Sequence, residues 1–347
     1  MNKRLKILLG IFAGIVLGGL IIWYYQGQNT PTPQTVSEIS KKQNNQVKQE
    51  EVKKAVCLVN GSLVNENLAN RHPLGIMIEN SVDARPQIGL ADAQLVYEAI
   101  AEGGITRFLA IYSCSEPEKV GPVRSARIYY LDWVSEFNAF YAHVGGNYDA
   151  LQKIKEYGIL DLDQFRYGSS AYWRVPEVGK AIEHTMYTST KKLWNIADKN
   201  KWPKKADFTP WDFKDDLEES QRPQNASATV NFSTPNYSVK WSYDPKTNTY
   251  SRSQTKTPTI KAKNIIIQWM DRWPIVSKIG ERGYAMKTVG SGKAKILMDG
   301  KVIDGTWKKD SRTERTWFYD SSGNKIKFNR GQIWIEIVHN DTPIKLE

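Results

Sequence analysis

An uncharged apolar run near the N-terminus restricts the fold of this chain more than any other sequence feature. Ile7 to Tyr25, ILLGIFAGIVLGGLIIWYY, follows a basic tip at residues 1–6, MNKRLK. A run of this length, folded as a helix, crosses about 30 Å of hydrocarbon. Positive charge before the run predicts a cytoplasmic N-terminus and an extracytoplasmic position for the rest of the chain.

A cleavable signal peptide is the alternative interpretation of this run. Signal peptides usually have a shorter apolar core, and neither a small-residue cleavage site nor a lipid-accepting cysteine follows Tyr25. We therefore expect an uncleaved signal anchor over residues 7–25 that crosses the cell membrane once. Gly10, Gly14 and Gly18 have the four-residue spacing that lets membrane helices approach closely, so we also consider an anchor-mediated homodimer.

The remaining chain divides by composition into four further parts. Residues 26–54 are polar and predict a disordered linker. Residues 55–207 alternate strand-like and helix-like patterns, which predicts a layered α/β domain. Residues 208–225 are polar and predict an interdomain linker, and residues 226–347 predict a mainly β domain, either a sandwich or a barrel-like sheet.

Apolar periodicity predicts individual elements within the α/β domain. Buried strands are expected over 74–79, 106–113 and 139–144. Helices are expected over 90–102, 127–137, 148–158 and 188–200. The first of these helices depends on the spacing of Leu95, Val96 and Ile100, with Gly103 and Gly104 as its end.

Charge is unevenly distributed along the chain, whose formal net charge is +11. Residues 226–347 contain twenty-one Lys or Arg and eleven Asp or Glu, a net of +10, whereas residues 57–225 contain nineteen and twenty-three, a net of −4. Outside a cell, a basic surface meets anionic lipid or acidic wall polymer rather than nucleic acid. A generic solvated surface explains the scattered lysines equally well.

The two cysteines, Cys57 and Cys114, allow a disulfide outside the membrane, although two separate buried thiols fit the sequence as well. The sequence has no C-x-x-C and no cluster of Cys and His, so we expect no metal site. It also lacks both a Walker loop and a G-x-G-x-x-G fingerprint, so we expect no cofactor.

Two junctions between a strand and a helix resemble ligand sites. Residues 121–125, GPVRS, precede the predicted helix that carries Arg127, and residues 143–147, HVGGN, precede the next helix. Ligands of open α/β sheets collect where strands end and helices begin, and free N–H groups at helix starts favour anions. Ser125 or Asn147 could cap these helices, and Gly145 with Gly146 could admit a ligand close to the backbone.

Four arginines lie near these junctions in apolar surroundings and can supply bidentate hydrogen bonds to an anion. They are Arg85, Arg107, Arg124 and Arg127. The alternative is purely structural: Glu98, Glu102 and Asp132 neutralise them inside the protein.

Two histidines are candidates for acid–base chemistry. His143 ends an apolar strand, and His184 lies in AIEHTMYTST. If the two rings meet, they form an acid–base pair; otherwise they are hydrogen-bonded structural residues. No nucleophile elbow, paired-carboxylate spacing or H-E-x-x-H supports an enzyme. The complete set of candidate ligand-binding residues is Arg85, Arg107, Arg124, Ser125, Arg127, His143, Gly145, Gly146, Asn147 and His184.

Long sequence blocks resemble the YerB-like lipoprotein family, catalogued as a domain of unknown function with a smaller C-terminal domain. These blocks are ARPQIGLADAQLVYEAIAEGGITRFLAIY, VGPVRSARIYYLDWV, FYAHVGGNYDAL, HTMYTSTKKL and, later, VGSGKAKILMDGKVIDGTWKKDSRTERTWFYDSSGNKIKFNRGQIWIEIV. The resemblance covers about Cys57 to Val338. It implies a bacterial envelope protein with an α/β domain and a mainly β domain, and no established reaction, substrate or cofactor.

The resemblance assigns a set of signature positions that largely coincides with the junctions described above. They are Arg85, Pro86, Gln87, Glu98, Gly103, Gly104, Thr106, Arg107, Gly121, Pro122, Arg124, Ser125, Arg127, His143, Gly145, Gly146, His184, Tyr187, Thr188 and Ser189. The chain departs from the family in two places. It lacks the lipid-accepting cysteine, and SQTKTPTIKA lacks the glycine-and-histidine turn often found before KNIIIQW.

Three functions remain open from the sequence. The first is a membrane-anchored envelope protein that binds an anionic ligand, such as wall polymer or peptidoglycan, through its arginine cluster. The second is an enzyme that acts on such a ligand with His143 and His184. The third is a scaffold for envelope proteins in which the arginines are structural.

Overall fold

A computed structural model describes residues 53–347 of the chain. The predicted basic tip, the anchor at 7–25 and nearly all of the linker at 26–54 therefore lie outside the described residues. Within the described range, no helix is both long enough and apolar enough to cross a membrane.

The described residues are rich in β structure. The strands, numbered along the chain, are β1 Lys54–Val56, β2 Leu63–Asn65, β3 Leu74–Glu79, β4 Leu95–Glu102, β5 Ile105–Tyr112, β6 Phe140–His143, β7 Asp161–Asp163, β8 Tyr172–Arg174, β9 Met186–Thr188, β10 Phe213–Lys214, β11 Ser227–Asn231, β12 Ser238–Asp244, β13 Thr249–Ser253, β14 Ile260–Ala262, β15 Asn264–Trp269, β16 Arg272–Val276, β17 Arg282–Met286, β18 Gly290–Met298, β19 Lys301–Lys309, β20 Trp317–Asp320, β21 Phe328–Asn329, β22 Ile333–Val338 and β23 Ile344–Leu346. The α-helices are α1 Glu66–Ala69, α2 Tyr130–Ser135, α3 Tyr148–Glu156, α4 Gln164–Tyr167 and α5 Thr190–Lys199.

Two sheets organise these strands. A ten-stranded mixed sheet has the order β20-β19-β18-β15-β22-β4-β5-β3-β6-β7, and a five-stranded antiparallel sheet has the order β14-β13-β12-β11-β23. The C-terminal third is therefore mostly antiparallel, while the large sheet mixes both directions. This confirms the mixed α/β class and refines it, because β15, β18, β19, β20 and β22 join the sheet built from the first half of the chain.

The large sheet is buried on both faces. Ile265 and Ile267 of β15 face the five-stranded sheet and join one apolar cluster with Trp241. Ile266, between them in sequence, faces the other way and joins the cluster that contains Trp133 of α2 and Ile154 of α3. Successive side chains along each strand thus point alternately into two apolar cores. One core lies between the two sheets, and the other lies between the large sheet and the helices.

The helix predicted over 90–102 is wrong. Only Leu90–Asp92 forms a short 3₁₀ turn, and Leu95–Glu102 is strand β4 in the middle of the large sheet. Leu95 and Tyr97 pack on one face and Val96 and Ile100 on the other. A strand covered on both faces is apolar at consecutive positions, and over this length such a pattern cannot be told from a buried helix.

The other predicted elements of the α/β region are present with shorter bounds. The strands expected over 74–79, 106–113 and 139–144 are β3, β5 and β6. The helices expected over 127–137, 148–158 and 188–200 are α2, α3 and α5. The differences fall at the ends, where local sequence specifies an element least.

The segment predicted as an interdomain linker is packed against the rest of the protein. Trp211 is only 3% exposed, and β10 pairs in parallel with β21. Residues 53–347 form one compact unit, because the large sheet takes strands from both sides of this segment. A division into two domains at 208–225 stays a prediction.

A buried polar cluster lies between the two sheets. Glu98 of β4 and Arg252 of β13 form an ion pair of 2.6 Å in which both side chains are almost fully buried. Glu98 also accepts hydrogen bonds from Thr106 at 2.7 Å and from Asn80 at 3.2 Å. A buried ion pair offsets its desolvation cost only when such additional hydrogen bonds are present.

Glu336 of β22 adds a second carboxyl group to this cluster. It is the register partner of Glu98 on the neighbouring strand, and it accepts a hydrogen bond of 2.7 Å from the Trp241 indole. Burial, and then the negative charge of Glu98, raise the pKa of Glu336 well above its usual value. The raised pKa favours the protonated form of Glu336, which places one negative charge beside Arg252 instead of two.

We predict that Glu336→Gln removes a pH dependence of stability. Because the folded protein holds a proton on Glu336 that the unfolded chain releases, the free energy of unfolding falls as pH rises through the range between the two pKa values. In that range the parent should lose about 1.4 kcal/mol per pH unit relative to the variant. Denaturant titrations at a series of pH values measure this difference.

Glu98→Gln serves as the matched control. It removes the carboxylate that pairs with Arg252, so it should destabilise the protein by about 3–5 kcal/mol. Identical pH slopes for the parent and the Glu336 variant would show that Glu336 is ionised in the folded protein.

Candidate functional site

The candidate site forms where the parallel strands of the large sheet end. Strands β15, β22, β4, β3, β6 and β7 run in one direction, so their carboxyl ends share one edge. Glu79, Glu102, His143 and Asp163 are the last residues of β3, β4, β6 and β7. This carboxyl edge is where open α/β sheets bind ligands.

The segment GPVRSA, residues 121–126, is hydrogen-bonded along this edge. The Arg124 N–H donates to Met77 of β3 at 3.0 Å, and the Arg124 carbonyl accepts from Val144 just after β6 at 3.1 Å. The Ala126 N–H donates to the Gly145 carbonyl at 2.9 Å. These bonds bring the two predicted junctions side by side.

Arg107 and Arg127 share one carboxylate of the protein. Glu102 accepts from Arg107 at 2.7 Å and from Arg127 at 2.7 and 2.8 Å. Burial by itself would raise the pKa of Glu102, but the two guanidinium charges outweigh it and hold that pKa below its usual value. Their remaining bonds go to the carbonyls of Ser125 and Ala126, so both arginines serve the fold.

Arg85 lies in the polar cluster between the sheets, not at the carboxyl edge. Its guanidinium donates to Asn80 and to the carbonyls of Thr255 and Asn236. The predicted carboxylate partners are also used differently, since Glu98 binds Arg252 and Asp132 accepts from Thr288. The prediction that all four arginines gather at one ligand site is therefore wrong for Arg85.

Arg124 differs from the other three arginines. Its Nε lies 3.2 Å from Glu79 Oε1, and the other oxygen of Glu79 binds His184 Nδ1 at 2.9 Å. No hydrogen bond to Arg124 Nη1 or Nη2 occurs within residues 53–347, and its side chain is 27% exposed. Glu79 thus pairs with the Nε side of the guanidinium by charge, without a hydrogen bond, and the two terminal nitrogens have no hydrogen bond to residues 53–347.

Arg124 lines a surface cavity of about 590 Å³, here called the Arg124 cavity. Its polar walls come from Arg124, Ser125, Asp163, Arg174 and Glu183. Its other walls are Val144, Gly145, Gly146, Leu151, Phe165 and Met186. The lining holds two positive and two negative side chains, so the cavity has no excess of positive charge. It therefore suits a ligand with a single anionic group, carried on a larger polar or apolar molecule.

The two glycines of the cavity bring protein groups close together. Gly145 has a φ of +55°, and a Cβ there would lie 2.9 Å from the Phe165 ring. A Cβ on Gly146 would lie 3.1 Å from that of Ala126. Both glycines thus lie close to neighbouring side chains, and this close packing forms part of the cavity wall.

His143 is fully buried beneath this site. Its Nε2 lies 2.9 Å from Asp161 Oδ1, and its Nδ1 lies 2.8 Å from the Gly145 carbonyl oxygen. Both partners are acceptors, so both contacts are hydrogen bonds only when each ring nitrogen carries a proton. This histidine orders the turn after β6.

The two candidate histidines do not act on each other directly. His184 is bound to Glu79, whereas His143 is bound to Asp161, and no hydrogen bond joins the two rings in the described part of the chain. His184 orients Glu79 and through it Arg124. The arrangement supports positioning of a cation rather than a paired acid and base.

A carboxylate of the protein itself accepts a hydrogen bond from the start of α3. Asn147 precedes the helix but makes no capping bond, and its Oδ1 is buried without a partner. The first helical N–H, of Tyr148, donates to Glu281 from the β16–β17 turn at 2.7 Å. The predicted anion site at this helix start is thus partly filled by an internal carboxylate.

The opposite edge of the sheet holds the other predicted features. Cys57 and Cys114 are joined in a disulfide there, after the end of β5. A cavity of about 440 Å³ on this side contains Arg71, whose guanidinium binds Glu116 and stacks on Trp194. Between residues 53 and 347, no cluster of three or more His, Cys, Asp or Glu side chains could hold a metal ion.

Sequence reasoning missed several residues that shape the site. Glu79 directly ends the predicted strand LGIMIE, and the alternation in DLD places Asp161 and Asp163 on one side of β7, so both signals were present. Phe165, Arg174 and Glu183 reach the cavity only through long-range folding, and no local pattern marks them.

Comparison with known proteins confirms the resemblance. Residues 59–203 match the N-terminal domain, and residues 228–335 the C-terminal domain, of a family described as proteins of unknown function, DUF3048. The chain is 29% identical over 299 residues to "Putative lipoprotein YerB" of Bacillus subtilis strain 168, covering 82% of this chain and 87% of that protein. It also matches the crystal structure of the Bacillus subtilis YerB protein with a TM-score of 0.72 and 27% identity, covering 84% of this chain and all of that one.

We predict that Glu102 and Arg124 contribute differently to stability. Glu102→Gln leaves Arg107, which is 3% exposed, without its carboxylate. The free energy of unfolding should fall by about 2–4 kcal/mol. This is less than the cost of breaking a fully buried pair, because Glu102 itself is partly exposed. Arg124→Gln should cost less than the first substitution, because His184 still hydrogen-bonds the buried carboxylate of Glu79 and the terminal nitrogens of Arg124 bond no group in residues 53–347.

Urea titrations of the two variants beside the parent measure these differences. Equal loss of stability in both variants would show that Arg124 is as structural as Arg107.

Proposed function

The chain belongs to the DUF3048 family, and from this premise we propose that it is a membrane-anchored, extracytoplasmic envelope protein that binds an anionic envelope ligand. The ligand's phosphate or carboxylate group pairs with Arg124 in the Arg124 cavity. In this proposal the protein is a binding protein and not an enzyme.

Two independent features support a position in the envelope. The similar protein of Bacillus subtilis is named "Putative lipoprotein YerB". In this chain the uncharged run Ile7–Tyr25, with its basic flank, supplies a membrane anchor of another kind. In this proposal the folded part of the chain lies outside the cytoplasm.

The free terminal nitrogens of Arg124 are the observation that carries the proposal. A guanidinium presents paired N–H groups that match the oxygens of a phosphate or carboxylate. The Glu79 carboxylate holds the Nε side, so the fork is oriented before a ligand arrives. Pre-orientation reduces the entropy lost on binding.

The walls of the Arg124 cavity indicate what accompanies the anionic group. Val144, Leu151 and Met186 form apolar surface, and the Phe165 ring is 77% exposed at the cavity. An exposed ring beside an arginine can stack on a sugar ring or on an apolar side chain while the charge is paired. These walls fit a glycan or a peptide with one acidic group better than an inorganic ion.

The cavity opens away from the point where the described chain begins. Asn60, close to that point, accepts a hydrogen bond from Gly331, just before the start of β22. The Arg124 cavity lies at the opposite, carboxyl edge. A membrane held through the preceding residues need not compete with the ligand for this edge.

We predict that Arg124→Gln weakens binding of acidic envelope fragments at least about tenfold, the loss of one charge-assisted contact. The probes are muropeptides released by muramidase and a wall glycan that carries phosphate or carboxylate groups. Isothermal titration calorimetry uses the full chain in uncharged detergent micelles.

Arg330→Gln provides the matched control, because Arg330 is a partly exposed arginine paired with Asp215 outside the Arg124 cavity. It should bind as the parent does. If the Arg124 variant also retains full affinity for every probe, the Arg124 cavity is not the ligand site.

A further inference from the structure

The β16–β17 hairpin is the second prominent feature of the carboxyl edge. It follows the end of β15 and pairs only with itself, with Trp273 opposite Ala285 and Val276 opposite Arg282. Trp273 is 47% exposed, and Val276 and Ile279 are exposed still further. A small hairpin with this much uncovered apolar surface is typical of an interaction element.

The hairpin carries cations that the protein leaves unpaired. Arg272, Lys278, Arg282 and Lys287 form no ion pair with any residue from 53 to 347. The two acidic residues of the segment are both occupied: Glu281 accepts from the Tyr148 N–H, and Asp271 accepts from Asn340. Four free positive charges beside an exposed indole are complementary to a polyanion.

The hairpin and the Arg124 cavity adjoin one another. Glu281 at the hairpin turn bonds Tyr148, the first residue of α3, and the turn just before that helix supplies Gly145 and Gly146 to the Arg124 cavity. On the hairpin's other side, a second cavity of about 460 Å³ lies between the β4–β5 turn at Gly103 and the strand residues Ile275 and Arg282. Two cavities and four cations thus follow one edge of the sheet.

We infer that the ligand is a glycan polymer with one phosphate or carboxylate on each repeat, which enters the Arg124 cavity and continues over the hairpin. This inference rests on the proposed function. One anionic group pairs with Arg124, and following groups meet Arg282 and the other hairpin cations. Trp273 stacks on a sugar ring between them.

A membrane surface is the competing partner for a basic hairpin with an exposed tryptophan. The position of the hairpin favours the polymer, because it adjoins the Arg124 cavity and lies at the edge opposite to the start of the described chain. A repeated anion along one edge also explains why the Arg124 cavity itself is balanced in charge while its surroundings are not.

The test compares ligand lengths on the full chain in uncharged detergent. The probes are galacturonate dimer, hexamer and long polymer, with inorganic polyphosphate as the phosphate counterpart. The parent should bind the long chain at least about tenfold more tightly per repeat unit than the dimer, because linked groups occupy both contacts. The combined variant Trp273→Ala with Arg282→Gln should lose this gain and keep the dimer affinity.

Leu63→Ala with Lys54→Gln is the matched control, since it removes an exposed apolar side chain and a cation from the β1–β2 hairpin. It should retain the gain with length. A parent that shows no gain, or a Trp273/Arg282 variant that keeps it, overturns the inference.

Two further results separate the inference from its premise. Arg124→Gln should weaken the dimer and the polymer alike, and if it leaves the dimer unaffected the proposed function fails instead. Hydrogen exchange on the full chain in nanodiscs tests the membrane. Protection of residues 272–286 by phosphatidylglycerol but not by phosphatidylcholine, without any polymer, would assign the hairpin to lipid and overturn the inference.

Discussion

The buried ion pair between Glu98 and Arg252 connects the two sheets of this protein. Charges are costly to bury, so the pair is tolerated only where further hydrogen bonds and close packing hold the two groups together. Glu98 comes from the first half of the chain and Arg252 from the second, which ties the large sheet to the five-stranded sheet. The pKa of Glu336 is raised by burial and then by the charge of Glu98, which disfavours a second negative charge beside the single guanidinium. The compact unit formed by residues 53–347 follows from this junction.

The internal hydrogen bonds and ion pairs also distinguish Arg124 from the other three arginines. Four arginines surround the ends of the strands or the cluster between the sheets, and a count of positive charge alone would assign them all to a ligand. Glu102 pairs with both Arg107 and Arg127, and Asn80 together with the carbonyls of Thr255 and Asn236 accepts from Arg85. Of these four arginines, Arg124 lines a cavity and makes no side-chain hydrogen bond within residues 53–347. What a ligand can use is therefore the set of hydrogen-bond donors that remains after the fold has formed its own bonds.

Much of the fold could be predicted from local patterns, and the failures have a common physical cause. The strands LGIMIE and TRFLAIYS could be predicted because their short length, their β-branched and aromatic side chains and the turns that flank them favour a strand over a helix. Residues 95–102 were misread as a helix because a strand buried on both faces has no alternation. At the site, the strand-end argument correctly joined Arg124 and Ser125 with Gly145 and Gly146. It could not predict that Glu79 would bridge Arg124 and His184, because that contact joins residues more than a hundred positions apart.

The two edges of the large sheet differ in how their charged side chains are used. At the amino edge lie the disulfide and the stacked Arg71 and Trp194, and Arg71 is paired with Glu116. At the carboxyl edge the parallel strands end in acidic residues. Glycine turns follow some of these strands, because the chain must turn away from the sheet there. The hairpin β16–β17 extends this edge with cations that have no internal partner. A long anionic chain would gain more binding affinity from such an edge than a short one, because each added repeat meets a cation that has no ion pair within residues 53–347.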